Sequence, residues 1–152
     1  MPDGATVELV GDCEFGAVST LQQLDRWGWG YALRQKGSTL VCISKQALVW
    51  RPFDSLVPRK NEPFFYANVI LTKKHLYHTP LVAYWERGES DPWLLATNMP
   101  ASRAALRAYR RRMWLDEFFG DSKGHGVDPK KTRLHHFQRL SRLMMAVASL
   151  YV

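Results

Sequence analysis

The sequence predicts an α/β fold. Three observations carry that expectation: an opening strand–helix–strand run, a central block of short β-rich segments, and a helical last third. With 152 residues, 46% of them hydrophobic and 23% charged, the chain has ordinary globular composition and enough apolar side chains for a core. That composition excludes a disordered tail, a collagen-like repeat and a disulfide-stapled miniprotein.

The first element is the apolar run Val7–Gly11, read as a strand whose end delivers Asp12 to the sheet edge. Gly16 to Arg26 follows as a helix, with Val18, Leu21 and Leu24 on one side, and Trp27-Gly28-Trp29-Gly30 breaks it. Tyr31–Arg34 is the second strand. Between Thr39 and Asn98 the β-rich runs are Leu40–Ile43, Ala47–Trp50, Phe64–Thr72, Leu81–Trp85 and Trp93–Thr97. Turn residues separate them, among them Asp54, Pro58, Gly88 and Asp91-Pro92, so the block reads as an antiparallel meander. Asn98 or Ser102 is suited to cap a helix running to Lys123, with Gly124 just past its end. A second helix is expected from about Thr132 to Val152, with Leu134, Phe137, Leu140, Met144, Val147 and Leu150 as its apolar stripe. The expected organisation is therefore 1–37 strand–helix–strand, 38–98 β-rich block and 99–152 helices.

Charge narrows the partner. Lys and Arg number 21 against 14 Asp and Glu, a net of +7, which makes a polyanion, nucleic acid first, the leading partner. The bland account is a basic surface with no ligand. Cys13 and Cys42 lack metal-ligand spacing and read as free thiols of a reducing compartment. The start of the chain does not resemble a signal peptide, and the apolar stretch Leu143–Val152 is too short to span a bilayer, so a soluble intracellular protein without a membrane partner is expected.

The segment that carries chemistry is Tyr109 to Lys123. At about 100° per residue, Tyr109, Arg112, Asp116 and Lys123 fall within a sector of about 60° on a helix. A solvated face with i,i+4 ion pairs is the ordinary meaning of such a stripe. Yet the same mixture of Arg, Lys and Tyr donors around a carboxylate suits a DNA strand beside a metal ion. This pattern, Tyr-x-x-Arg-x-x-x-Asp-x-x-x-x-x-x-Lys, resembles the Y…R…E…K signature of bacterial insertion-sequence-four-type DDE transposases. The stretch from Arg112 to Gly126 resembles the same block of that family, Leu9–Gly16 its second-Asp strand end, and Arg139–Leu143 its closing helix.

The resemblance implies a ribonuclease-H-like transposase fold, incomplete at its N-terminus, with the antiparallel β block inserted before the catalytic helix. It implies DNA transposition by metal-dependent phosphodiester hydrolysis and strand transfer, with Mg²⁺ or Mn²⁺ as cofactor. Asp12 and Asp116 would be catalytic metal ligands; Tyr109, Arg112 and Lys123 would hold the transposon end. The intact enzyme would act as a homodimer on DNA, in the cytoplasm at the nucleoid. Two departures stand out. The family's Glu is Asp116 here, one methylene shorter, with Glu117 about 100° away on the helix. Only eleven residues precede Asp12, too few for the strands that carry the family's first Asp, and Asp3 is a terminal loop residue. The expectation is a transposase fragment with little or no strand transfer on its own.

Two alternatives come from other classes. One is a DNA-binding remnant without catalysis, using Arg103, Arg107 and Arg110 at i,i+4,i+7 spacing, with Arg111, Arg112, Lys123, Lys130, Lys131 and Arg133 extending the basic set. The other is a partner-binding fragment with an open strand edge near Val7–Gly11. His75 with His78, and the adjacent His135 and His136, do not form chelating sets. Trp50 or Trp85 could stack on an extruded base, although packing is the commoner role of tryptophan.

Overall fold

The structure is a computed structural model that describes residues 6–43, 49–57 and 59–124, with backbone only for 114–124. The chain divides into two compact units, Met1–Arg110 and Arg111–Val152. The first unit is built on one seven-stranded mixed sheet. Its strands are β1 (Glu8–Gly11), β2 (Gly30–Arg34), β3 (Leu40–Cys42), β4 (Arg51–Pro52), β5 (Phe64–Leu71), β6 (Tyr77–Tyr84) and β7 (Trp93–Thr97). Across the sheet they run β1-β2-β7-β6-β5-β3-β4. Helix α1 (Val18–Trp27) connects β1 to β2, and helix α2 (Ser102–Gly124) follows β7.

β1 and β2 pair in parallel, from Glu8 opposite Gly30 to Gly11 opposite Leu33, as the α1 crossover between them requires. Every other pairing is antiparallel. The meander expected as an inserted block is continuous with this sheet, because β7 pairs directly with β2 through Ala32–Thr97, Leu33–Ala96 and Arg34–Leu95.

Alternation along the strands assigns two faces. Tyr31, Leu33, Leu81, Ala83, Leu94 and Ala96 share a core with Val18, Leu21 and Leu24 of α1. Ala32, Val82, Leu95 and Trp93 share another with Ala105, Leu106, Ala108 and Tyr109 of α2. The sheet is thus covered on one face by α1 and on the other by the first turns of α2.

Local chemistry explains the boundaries. Gly28 sits at φ +67, the left-handed geometry that closes a helix, and Trp29 N–H bonds Leu24 O at 3.0 Å beyond it. β6 begins at Tyr77, four residues before the Leu81 start expected from sequence. Pro80 sits inside this strand, where the register of β5 shifts between Tyr66 and Val69 opposite it, so no ladder bond is asked of the missing N–H. The expected strand Ala47–Trp50 is not found at Val49 and Trp50; the short pairing falls at Arg51–Pro52, on the sheet edge where proline is tolerated, and 44–48 lie outside the described residues. Gly124 is the last residue of α2 rather than the one beyond it. The second helix expected from Thr132 also lies outside the described residues.

Asn98 does not cap α2. Its side chain accepts from Tyr31 N–H at 3.0 Å and donates to Trp29 O at 2.9 Å and Asp25 Oδ1 at 3.1 Å. Asp25 also accepts from the Tyr77 hydroxyl. Tyr77 and Thr79 each lie 3.1 Å from the Tyr31 hydroxyl, and Thr79 donates to Thr97 O at 3.1 Å. Burial, then the Asp25 and Tyr31 contacts, push the Tyr77 hydroxyl far above the ordinary phenol range, so it stays a hydrogen-bond donor at neutral pH. Asn98→Ala leaves the Tyr31 N–H without its acceptor and is expected to cost about 1–3 kcal/mol in urea unfolding. An unchanged midpoint would remove Asn98 from the account of the fold.

Candidate functional site

Asp12 lies one residue beyond the Gly11–Leu33 pair, so the parallel register brings it alongside Arg34 at the carboxyl ends of β1 and β2. Its extended backbone opens a short 3-10 turn, Cys13–Phe15, and its Oδ1 accepts from Cys13 N–H at 2.8 Å. This cap fixes the carboxylate at the end of the strand. Gly16 then lets the chain pass close to the end of β2: a Cβ there would stand 2.6 Å from Arg34 O and 2.7 Å from Gln35 Nε2. No larger residue fits without moving backbone.

The strand ends enclose a cavity of about 290 Å³ whose lining includes Asp12, Cys13, Arg34, Lys36, Asp54 and Asp91. Asp54 lies in a 3-10 turn at Phe53–Leu56 and is held near Gly37 by the 3.1 Å bond from Asp54 N–H to Gly37 O. Asp91 is just ahead of β7, whose antiparallel course starts beside the end of β2. Arg34 reaches across to Pro92 O at 3.3 Å. Three carboxylates thus face two cationic side chains, and in open α/β sheets the carboxyl ends of strands are the usual place for a ligand.

The surroundings of Cys13 raise its thiol. Burial first, then the Asp12 charge and its hydrogen bond, raise the thiol above its ordinary value, with Arg34 and the Cys13 backbone bond in partial opposition. The neutral thiol therefore predominates near pH 7, and Cys13 is not poised as a nucleophile. Cys42, the other free cysteine, is buried.

Of the four residues expected on one polar edge of α2, Tyr109 and Arg112 have side chains among the described residues. Tyr109 is 1% exposed, in the core of the first unit, with its ring 5.3 Å from Trp93 in an edge-on contact. This departs from its expected place along a DNA-facing stripe: the sector rule takes no account of which side of a helix meets the sheet. Arg112 is half-buried in the second unit. Asp116 and Lys123 belong to α2, but their side chains lie outside the described residues.

Asp54 and Asp91 were expected only as turn residues; the antiparallel path that returns β7 to β2 places them on the Asp12 cavity. Among the described residues no three His, Cys, Asp or Glu side chains form a group able to hold a metal ion. The aspartates of the cavity are hard oxygen donors of the kind Mg²⁺ and Mn²⁺ take, but they do not form a complete ligand set by themselves. His75 and His78 are both exposed and join no such group. Among the described residues no helix is long and apolar enough to cross a membrane.

The raised thiol sets a pH test. Below the ordinary cysteine value the thiol is protonated in folded and unfolded chains alike; the stability tied to the protonated form is lost as pH rises through the higher folded value. Iodoacetamide labelling of Cys13, followed by mass spectrometry, should therefore show a pH midpoint above that of a free cysteine peptide. Asp12→Asn keeps the cap acceptor, removes the charge and should lower that midpoint; a wild-type midpoint at or below the peptide's would contradict the arrangement. Comparison with known proteins finds no family model and no curated protein that matches this chain.

Proposed function

We propose that this chain is part of a DDE transposase of the insertion-sequence-four type, acting on DNA phosphodiesters. The observation that carries the reading is the position of Asp12. A parallel strand pair linked by α1 delivers this carboxylate to a cavity at the strand ends, where the resemblance of Leu9–Gly16 calls for a catalytic aspartate. The Y…R…E…K-like spacing from Tyr109 to Lys123 and the +7 net charge support the same reading.

The chemistry assigned to the chain is modest and specific. Asp12 is a fixed anionic ligand, held by its cap bond to Cys13 N–H. Arg34, beside it in the cavity, offers a guanidinium suited to a non-bridging phosphate oxygen. Asp116 supplies the second carboxylate, and Arg112 and Lys123 are assigned to the DNA backbone; buried Tyr109 serves as a packing residue that sets α2 against the sheet. A bound Mg²⁺ or Mn²⁺ would lower the pKa of an attacking water and stabilise the leaving oxygen. The resemblance supplies two of the three family carboxylates, so metal binding by this chain is expected to be weak and strand transfer low.

Calorimetric titration with Mn²⁺ tests the assignment. The wild-type chain should bind, and Asp12→Asn and Asp116→Asn should each weaken binding on the order of tenfold, as losing one ligand typically does. Equal affinity in wild type and Asp12→Asn would refute it.

A further inference from the structure

A second cavity lies on the face of the sheet that α2 covers. It measures about 500 Å³ and is lined by Arg103, Arg107 and Arg110 of α2, together with Asn61, Pro63 and Tyr84. The three arginines rise along one side of the helix over about 10 Å. That is room for successive phosphates of one strand.

The walls of this groove are fixed. Asn61 adopts φ +68, donates its N–H to Trp85 O at 2.7 Å and accepts from Arg87 N–H at 2.9 Å, tying the loop before β5 to the loop after β6. Arg110 Nη2 bonds Glu86 Oε1 at 2.9 Å, and its guanidinium lies 5.7 Å from the Tyr84 ring and 5.9 Å from the Trp93 ring. Lys60, next to Asn61, holds its ammonium 4.7 Å over Trp85.

The charge in the groove is not balanced internally. Glu86 is taken by Arg110, whereas Arg103 and Arg107 are exposed and have no carboxylate partner among the described residues. Two unpaired guanidiniums on a rigid wall, flanked by a lysine, suit an extended anion. The aromatic floor is already covered, since Tyr84 and Trp93 are buried beneath Arg110, so no ring is presented for a base to stack on. The ligand is read by its backbone and not by its sequence.

We infer that this groove seats a phosphodiester backbone of nucleic acid, gripped by Arg103 and Arg107 and bounded by the Asn61 loop. The inference rests on the DNA-acting reading above for the class of partner, but it needs neither a metal nor Asp12. The test is fluorescence anisotropy with labelled single-stranded and duplex oligonucleotides of unrelated sequence, in EDTA, over a salt series. Arg103→Ala/Arg107→Ala should weaken binding on the order of tenfold near 0.1 M salt and lower the slope of log affinity against log salt by about 1–2. The arm that shows the loss, single strand or duplex, identifies the form of the backbone. Lys73→Ala/Lys74→Ala, the same loss of charge on the exposed β5–β6 turn, should change affinity less than threefold.

Circular dichroism checks that both variants fold, which their exposed positions favour. Equal losses in the two double variants, or no loss in either, would overturn the groove. A chain that binds no Mn²⁺ but keeps the Arg103/Arg107 effect would sink the transposase reading and leave the groove standing.

Discussion

Asn98 joins three parts of the chain at one point: the N–H of Tyr31 at the start of β2, the carbonyl of Trp29 in the turn before it, and Asp25 near the end of α1. Because Asn98 directly follows β7, these bonds tie β7 and the crossover helix to the start of β2. β2 carries β1 in parallel on one edge and β7 antiparallel on the other. Slip either pairing by one residue and the alternation of Tyr31 and Leu33 against Ala32 is lost, and with it both cores. Asp12, Arg34 and Asp91 share a cavity only because that register holds.

The same constraint gives the two cavities opposite characters. At the carboxyl ends of β1 and β2, carboxylates outnumber cations, and the one thiol present is kept protonated by its surroundings. On the face covered by α2, the lining is cationic and its single ion pair, Arg110 with Glu86, orients a guanidinium across aromatic rings. The acidic pocket lies at the strand ends and the basic groove on the α2 face.

Much of the fold was legible because its elements are periodic. The opening Val7–Gly11 run, the Leu21 and Leu24 stripe of α1 and the Trp93–Thr97 strand all announce themselves by spacing and by flanking glycines or, for the last, by Asp91-Pro92. Three features were not legible. Pro80 reads locally as a strand breaker, and only the facing irregularity in β5 admits it. Asn98 reads as a helix cap, and its partners lie as far as 73 residues away in sequence. Tyr109 reads as part of a polar stripe because its hydroxyl is counted as polar, whereas its ring packs on Trp93. For the site, the family resemblance of Leu9–Gly16 singled out Asp12, but nothing local in the sequence brings Asp54 and Asp91 to the same cavity. That neighbourhood is a product of sheet order.

The central proposal is that Asp12 holds a divalent cation at the carboxyl ends of β1 and β2. Fe²⁺ takes hard oxygen sites, and with ascorbate it generates radicals that cut nearby backbone, so it reports location directly. The account predicts cuts around residue 12 that excess Mg²⁺ suppresses and that Asp12→Asn weakens. An absence of cuts around residue 12, or cutting there that is indifferent to Mg²⁺, would contradict it.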